Sequence, residues 1–516
     1  MEGAAERRYH PRMLAARAPR GQASPLHELV AALVAVVLYL PCIRYGFVFD
    51  DHSLIGPGGA PVALGGVVPY RPLRYASYLV DSWLGGTPAV YHAGNLLLHG
   101  LVAALVVALA KRIGCRAWAA LVAGLVVACH PLAVEAAAYV SGRRDLLCVA
   151  FGLGALLLHR GGRFVPALAC VIASAGAKES GLVFLAPMAA MTLAGLDGRV
   201  ARARSLRGIL AAGAAALALC LAYGAVGPWS PSLDVAGLAL AGRVVVHYAT
   251  GLAGLRALAP EYPALAVLPA GELAAEVPSV VVALVVALAV AACFGGCVRA
   301  GRRGGGGAAW FAAAWTTSTL AALGAWGGLH EPGVDRHAYL LLPAVATSIG
   351  WLLTRLTRLA DLADLAAPAR TAAPGRARFA TPRRAATVAA AALVLAASAS
   401  ASTAQMRIWS SDRALWTAAA QSPTPSPRVR ANLARVLAEG GDYATASRQL
   451  DLALAQDSRD PLLYLGRAAL RCARGRRALV RLDLQRARRA GADSAEVGAI
   501  ERDCRPARPS TADSPA

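Results

Sequence analysis

Lysine is nearly missing from this chain. Of 52 basic residues among 516, only Lys111 and Lys178 are lysines. With abundant Ala, Gly and Val, this points to a GC-rich, bacterial-type genome, against which a retained lysine stands out. Charge is scarce as well: 16% of residues are charged and 57% hydrophobic, and the mean hydropathy is +0.49. That balance excludes an ordinary soluble domain of this length. The recurring uncharged runs indicate a polytopic membrane protein with a small soluble end.

Other absences narrow the class further. No nucleic-acid motif accompanies the net charge of +22. Much of that charge lies in short loops between apolar runs, as arginines of cytoplasmic loops do, so nucleic acid is not an expected partner. Cys293 and Cys297 share an apolar run with no His or Cys nearby, which argues against zinc. Eight of the ten cysteines lie in or near apolar runs and read as small buried hydrophobes. Cys472 and Cys504 are the exceptions, and the sequence does not decide whether they pair. Arg7, Arg8, Arg12, Arg17 and Arg20 precede the first apolar run, but no small-residue cleavage site follows it. That run reads as a retained signal-anchor. No duplicated pair of broken spans is present, which argues against a transporter.

About eleven transmembrane helices are expected, near 29–46, 91–110, 117–134, 145–159, 164–177, 180–196, 208–226, 277–298, 308–327, 338–354 and 385–404. With a cytoplasmic N-terminus, the arginine-rich loops 111–116, 160–163, 198–207, 299–303 and 355–384 all face inside. Segment 240–259 carries Arg243, His247 and Arg256. If it crossed, the loop 355–384 would face outward, so it reads as re-entrant or interfacial. Asp50-Asp51, His130–Arg144, Lys178-Glu179 and Glu331–His337 then share the outer side. Polar groups from many helices on one side suggest a single cavity.

The expected organisation is a basic cytoplasmic N-terminus (1–28), a multi-span membrane domain (29–404, outer loop about 47–90), a linker or cap (405–427), tetratricopeptide (TPR)-like repeats (428–492) and a largely disordered tail (493–516). Leu433, Ala434, Gly441-Asp442-Tyr443, Ala446, Leu450 and Ala453 fall at TPR positions, where small residues let two antiparallel helices pack closely. A second unit starts near Pro461, with Ala468, Leu484 and Ala487 at equivalent places.

Several motifs in order carry a resemblance. They are Phe47–His52 with Tyr70-Arg71-Pro72-Leu73, Tyr91-His92 through Asn95 to His99, His130-Pro131 through Glu135 to Gly142-Arg143-Arg144-Asp145, Ala177-Lys178-Glu179-Ser180, and Asp335-Arg336-His337-Ala338-Tyr339. With Trp409, Trp416 and the repeat-like tail, the chain resembles the transmembrane-and-TPR O-mannosyltransferase-like family. Those proteins have the C-type glycosyltransferase fold, the fold of the protein O-mannosyltransferases. The sequence departs from the family at Gly56-Pro57-Gly58-Gly59, where relatives are more polar, and in its short repeat array.

The resemblance implies transfer of mannose or another hexose from a polyprenyl-phosphate donor to a hydroxyl acceptor, Ser or Thr of exported proteins, on the outer side of the membrane. Inverting displacement needs one general base, close to the anomeric carbon. Asp50 is the expected base, with Asp51 orienting the acceptor or tuning Asp50 by like-charge repulsion. The leaving lipid phosphate needs cations, and Arg336, Lys178, Arg143 and Arg144 are the candidates. Glu135, His130 and Glu179 are candidates for acceptor or sugar binding. A divalent metal bridging the aspartates stays open, and no other cofactor is called for. Expected partners are membrane lipids, the polyprenyl-phosphate sugar and an acceptor protein docked on the repeats. Plainer readings coexist: a helix-end ion pair for Arg143-Arg144-Asp145, a mutual pair for Lys178-Glu179, a structural His130, and interhelical hydrogen bonding for His92, Asn95 and His99. At the level of function, transfer to a lipid or envelope polymer, or a non-catalytic TPR scaffold, are the alternatives.

Overall fold

The computed structural model describes residues 24–62, 71–197, 202–224, 235–260, 276–327, 334–366 and 382–504, without side chains for 216–224, 326–327, 362–366 and 382–385. Tyr70 and Glu331 of the expected motifs lie outside the described residues. Apart from an isolated bridge between Ile55 and Pro61, all regular structure among the described residues is helical.

The described part of each expected apolar run is largely helical, though the runs at 29–46, 117–134, 180–196 and 338–354 are interrupted by 3-10 turns. In chain order the helices are α1 (Leu26–Tyr39), α2 (Asp51–Leu54), α3 (Pro72–Trp83), α4 (Pro88–Arg112), α5 (Ala117–Cys129), α6 (Val134–Ala138), α7 (Arg143–Arg160), α8 (Phe164–Ala177), α9 (Leu185–Leu193), α10 (Arg202–Gly224), α11 (Val235–Leu252), α12 (Val277–Arg303), α13 (Gly307–Gly327), α14 (Leu342–Ala366) and α15 (Pro382–Met406). Among the described residues five helical segments are long and apolar enough to cross a membrane by themselves: Leu26–Arg44, α4, α11, α12 and Ala386–Ser410. The pair Ala117–Cys129 and Pro131–Ala138, bent by 55°, would make a sixth. The bend falls at Pro131, which lacks an N–H and cannot continue the helical ladder. The protein is thus an all-α, multi-pass membrane protein. Leu29, Leu33 and Val37 of α1 and Leu284, Val285 and Leu288 of α12 are exposed, as side chains facing lipid must be.

The interior is built from α1, α4, α5, α7 and their neighbours, with small residues where backbones approach. A Cβ on Gly124 would come within 2.4 Å of Val107 and 2.9 Å of Ala31, so only glycine permits that approach. One end of the bundle differs from the other. There, 3-10 turns interrupt the chain at Pro131–Ala133, Val140–Gly142, Glu179–Phe184 and Asp335–Leu340. These breaks turn polar side chains inward, and the Asp50–Asp51 loop sits among them.

Segment 240–259 is mostly α11. Gly242 packs against Ser279 and Arg243 lies 3.5 Å from Glu276, so the middle of α11 meets the first turn of α12. Its C-terminal end reaches the Asp50 end of the bundle. His130 Nε2 is 3.1 Å from the Leu252 carbonyl, and Tyr248 donates to the Val334 carbonyl at 3.1 Å. Seven residues precede Gly242 in the helix, about 10 Å at a rise of about 1.5 Å each, against about 30 Å of hydrocarbon.

Beyond α15 come α16 (Asp412–Ala419), α17 (Pro427–Glu439), α18 (Tyr443–Gln456), α19 (Pro461–Ala473) and α20 (Arg477–Arg489). α17 packs on α18 and α19 on α20. Ala434, Ala446, Ala453, Ala468 and Ala487 are buried where these helices meet. Asp442 caps α18 by accepting from the Thr445 N–H at 3.0 Å. Arg467 bridges α20 and α18 through Asp483 (2.8 Å) and Asp451 (2.7 Å). The expectation of a disordered tail from 493 does not fit the described part. Ser494–Asp503 forms helix α21, capped by Asp493, with Val497 buried against the α19–α20 pair and Cys504 disulfide-bonded to Cys472. One apolar stripe and one covalent tie hold this short helix. Residues 505–516 lie outside the described residues.

Candidate active site

The 3-10 turn Leu40–Arg44 ends α1, and the chain then runs extended to Phe49. Phe49 takes a left-handed backbone, φ 51°. Asp50 follows and caps the short α2, in which Asp51 is the first residue. Asp51 is fully buried. Its Oδ2 accepts from the Val48 N–H at 3.1 Å, and its Oδ1 accepts from the Ser141 N–H at 2.9 Å and the Ser141 hydroxyl at 2.7 Å. Burial pushes the Asp51 carboxyl up to about 7, against the opposing pull of the Ser141 and Val48 bonds. Asp50 is half-buried. Its N–H donates to the Tyr139 hydroxyl at 3.2 Å, while its carboxylate makes no hydrogen bond or ion pair among the described residues. The adjacent acids therefore divide: Asp51 fastens the loop to the turn before α7, and Asp50 holds out a free carboxylate.

The expected cations gather at the same end, in two conditions. Arg143 is locked. It donates to Asn95 Oδ1 at 2.7 Å, to Asp81 and to the Tyr91 carbonyl, and its guanidinium lies 5.1 Å from the Tyr78 ring centroid. Gly94 makes room for it, since a Cβ there would lie 2.5 Å from the guanidinium. Arg144 is also buried, yet it makes no hydrogen bond among the described residues. It only approaches Asp145 Oδ2 at 3.6 Å, and its Nε is buried without a partner. Lys178 pairs with Asp145 at 2.5 Å, and Arg336 binds Glu135 through its side chain (2.6 Å) and its N–H (2.8 Å). Glu179 accepts two bonds from Arg71, at 3.0 and 2.5 Å. Lys178 and Glu179 therefore turn to different partners rather than to each other.

His337 stands among these cations. Burial, then the charges of Lys178, Arg336, Arg144 and Arg71, hold it well below the usual imidazole range, so it is neutral. A small cavity of about 10 Å³, room for about one water, lies beside it, lined by Lys178, Ser180 and His337 together with the apolar Val183, Ala322, Leu323 and Leu340. A second small cleft, of about 10 Å³, is lined by Phe49, Arg336, Trp409, Trp416 and Arg428, with Leu415 and Pro260.

Of the residues expected in a site, Asp50 keeps an unbonded carboxylate among the described residues, Arg144 makes only a loose contact with Asp145, and Lys178 and Arg336, though paired, each line a small cavity. Asp51, Arg143, Glu135 and Glu179 are held by protein partners. His130 accepts from the Leu132 N–H and contacts the Leu252 carbonyl, closing a turn. Asn95 donates to the Tyr139 carbonyl at 2.9 Å, and His99 lies 2.8 Å from the Tyr339 hydroxyl, so both join separate helices. Residue reasoning assigned no role to Ser141, Tyr139, His337 or Asp412. Only their place within or beside the motifs expected on one side of the membrane hinted at them. Among the described residues no group of three or more His, Cys, Asp and Glu could hold a metal ion.

No family model and no solved structure matches the chain. Curated relatives do. The chain is similar to protein O-mannosyl-transferase Tmtc2 of Drosophila melanogaster, 35% identical over 145 residues, which are 24% of this chain and 16% of that protein. It is 30% identical over 152 residues to protein O-mannosyl-transferase TMTC2 of Homo sapiens, 26% of this chain and 18% of that one. Against protein O-mannosyl-transferase TMTC4 of Homo sapiens it is 29% identical over 160 residues, 24% and 22%. The chain thus spans about a fifth of the length of the curated relatives it matches. These matches support a TMTC-like family over about a quarter of the chain.

Proposed function

We propose that this chain is a membrane glycosyltransferase that moves a hexose, mannose first among candidates, from a polyprenyl-phosphate donor to Ser or Thr hydroxyls of exported proteins. The observation that carries this reading is the division of the aspartate pair. One carboxylate is pinned, and its neighbour is free beside a buried cationic cluster. In the proposed reaction the acceptor oxygen attacks the anomeric carbon, Asp50 takes the hydroxyl proton, and the bond to the lipid phosphate breaks with inversion. Arg144, Lys178 and Arg336 receive the charge on the leaving phosphate. The grouping of Lys178 and His337 beside a small cavity supports an anionic leaving group, because it places a cation and a neutral donor together. Neutral His337 can give a hydrogen bond there. The names of the matched relatives support a protein acceptor.

Around this chemistry we read eleven spans, a cytoplasmic N-terminus and the Asp50 end facing outward. The level of α11 relative to α12 supports a re-entrant or interfacial α11, and the Cys472–Cys504 disulfide fits a tail in an oxidising compartment. The helix pairs from Pro427 to Arg489 are read as two TPR-like repeats that dock the acceptor. The test is glycopeptide mapping of exported proteins in strains carrying the wild-type chain or Asp50→Asn at equal abundance. Loss of hexose from Ser and Thr peptides is expected. Unchanged protein glycans with altered lipid or envelope glycans would move the acceptor to those polymers, and no change in any of them would favour a scaffold.

A further inference from the structure

The loop that aims Asp50 is held from the far end of the chain. Phe49, just before Asp50, and Arg71 are the only non-glycine residues with a left-handed backbone among the described residues. For a bulky residue that conformation costs about 1–3 kcal/mol and persists only where the surroundings enforce it. At Phe49 they do so from 363 residues away: Asp412 Oδ1 accepts from the Phe49 N–H at 2.9 Å. Asp412 Oδ2 is itself anchored, at 2.8 Å from Arg435 and 3.1 Å from His52 Nε2. The Phe49 ring meets Trp416 edge-on at 5.1 Å, and Arg428 lies 5.5 Å from its centroid. A second route runs through Trp409, which stacks on Tyr139 at 4.9 Å, and Tyr139 in turn accepts from the Asp50 N–H.

We propose that Asp412 is a positioning residue for Asp50, and that segment 409–435 completes the active site by clamping the base loop in its left-handed conformation. The catalytic half of this proposal rests on the reading of Asp50 as general base; the clamp does not. Asp412 touches neither the reacting atoms nor the cation cluster. It acts through the Phe49 N–H, whose direction fixes where the next residue's carboxylate points. The same clamp closes the cleft between Phe49, Arg336 and the two tryptophans, whose indole Nε1 atoms are both buried without a hydrogen-bond partner among the described residues. Opening the clamp would therefore displace the base and one wall of that cleft together. Partial burial pushes the Asp412 carboxyl up, but its bonds to Arg435 and the Phe49 N–H outweigh this and hold it below the usual carboxylate range, so it is ionised at neutral pH.

The test combines turnover with amide hydrogen exchange on the full chain in detergent or nanodiscs. In the wild-type protein the Phe49–Ser53 amides are expected to be protected. Asp412→Ala should release them while the helix pairs of the tail stay protected, and should lower kcat about ten- to hundred-fold with KM for donor and acceptor nearly unchanged, since a misplacement of about 1 Å is worth about that much. Asp412→Asn keeps an oxygen for the Phe49 N–H and should recover most of the turnover; Arg435→Ala should fall between. A wild-type protein whose Phe49–Ser53 amides exchange like free chain overturns the proposal without any variant. So does Asp412→Ala with wild-type turnover and wild-type protection. If the wild-type protein transfers no sugar while Phe49 is protected and Asp412→Ala releases it, the glycosyltransferase reading and the catalytic half fall together and the clamp alone stands.

Discussion

The two ends of the helix bundle bury charge to different depths. At the Asp50 end, Arg143 with Asp81, Lys178 with Asp145, Arg336 with Glu135 and Arg71 with Glu179 lie largely out of water. At the other end, Lys111 with Glu28 and Arg116 with Asp361 pair nearer the solvent, while Arg112, Arg160 and Arg163 surround an open groove and pair with no carboxylate among the described residues. Arg112 and Arg160 instead reach the backbone carbonyls of Leu157 and Arg112, at 3.3 and 3.2 Å. Solvated arginines at a membrane face need only orientation to explain them. Buried ion pairs need more, because desolvation consumes most of what their attraction supplies. Their concentration at one end is what a charged substrate requires and what stability alone does not.

Substitutions can break this contrast, and the largest expected effect is catalytic. Asp50→Asn should abolish transfer, by about 10²-fold or more, while the thermal midpoint stays put, because the carboxylate holds nothing. Measured hexose transfer by the variant at wild-type rate would remove Asp50 as base. Next come the locked cations. Arg143→Gln leaves Asp81 buried and unpaired and should lose about 3–5 kcal/mol of stability. Arg144→Gln, one residue on, should instead raise the KM for donor with little change in melting. Equal melting losses in both would erase the distinction between them.

A smaller effect is pH dependence from Asp51. Its carboxyl is raised by burial to about 7 in the folded protein. The folded state therefore binds its proton more tightly than the unfolded chain does. That contribution is fully present below about pH 4 and is lost as pH rises through about 7. Melting of the purified protein at pH 5 and pH 8 should show the decline, and Asp51→Asn should flatten it while weakening the fold through the lost Val48 bond. Smallest of all, Arg163→Gln at the opposite end should change neither turnover nor melting.

Much of the architecture was legible in the sequence. The apolar run expected over 164–177 is α8 residue for residue, and the run expected over 277–298 lies within α12. Lipid permits few backbone solutions, so composition and length suffice. The helix pairs of the tail were legible through alanines at the helix contacts. The site was legible only as a set of residues. Nothing local separates Arg143 from Arg144, since neighbours on a helix point about 100° apart and the gap at Gly94 that seats one of them comes from another helix. Asp50 and Asp51 are not told apart by sequence either, because besides the nearby Val48 N–H it is Ser141, 90 residues away, that holds Asp51. The helix at Ser494–Asp503 was missed because its ten residues carry one buried apolar side chain, Val497, and it is held by contacts from elsewhere.

By itself, then, the sequence determined that this is a helical membrane protein, roughly where its helices lie, and which motifs could share one face. These properties follow from the free energy of placing side chains in lipid or water, which each segment carries with it. Only the tertiary structure decided which carboxylate is free, which arginine is unspent and that Asp412 reaches Phe49. Those outcomes depend on hydrogen-bond geometry and desolvation at points where distant segments meet, and no single segment contains them.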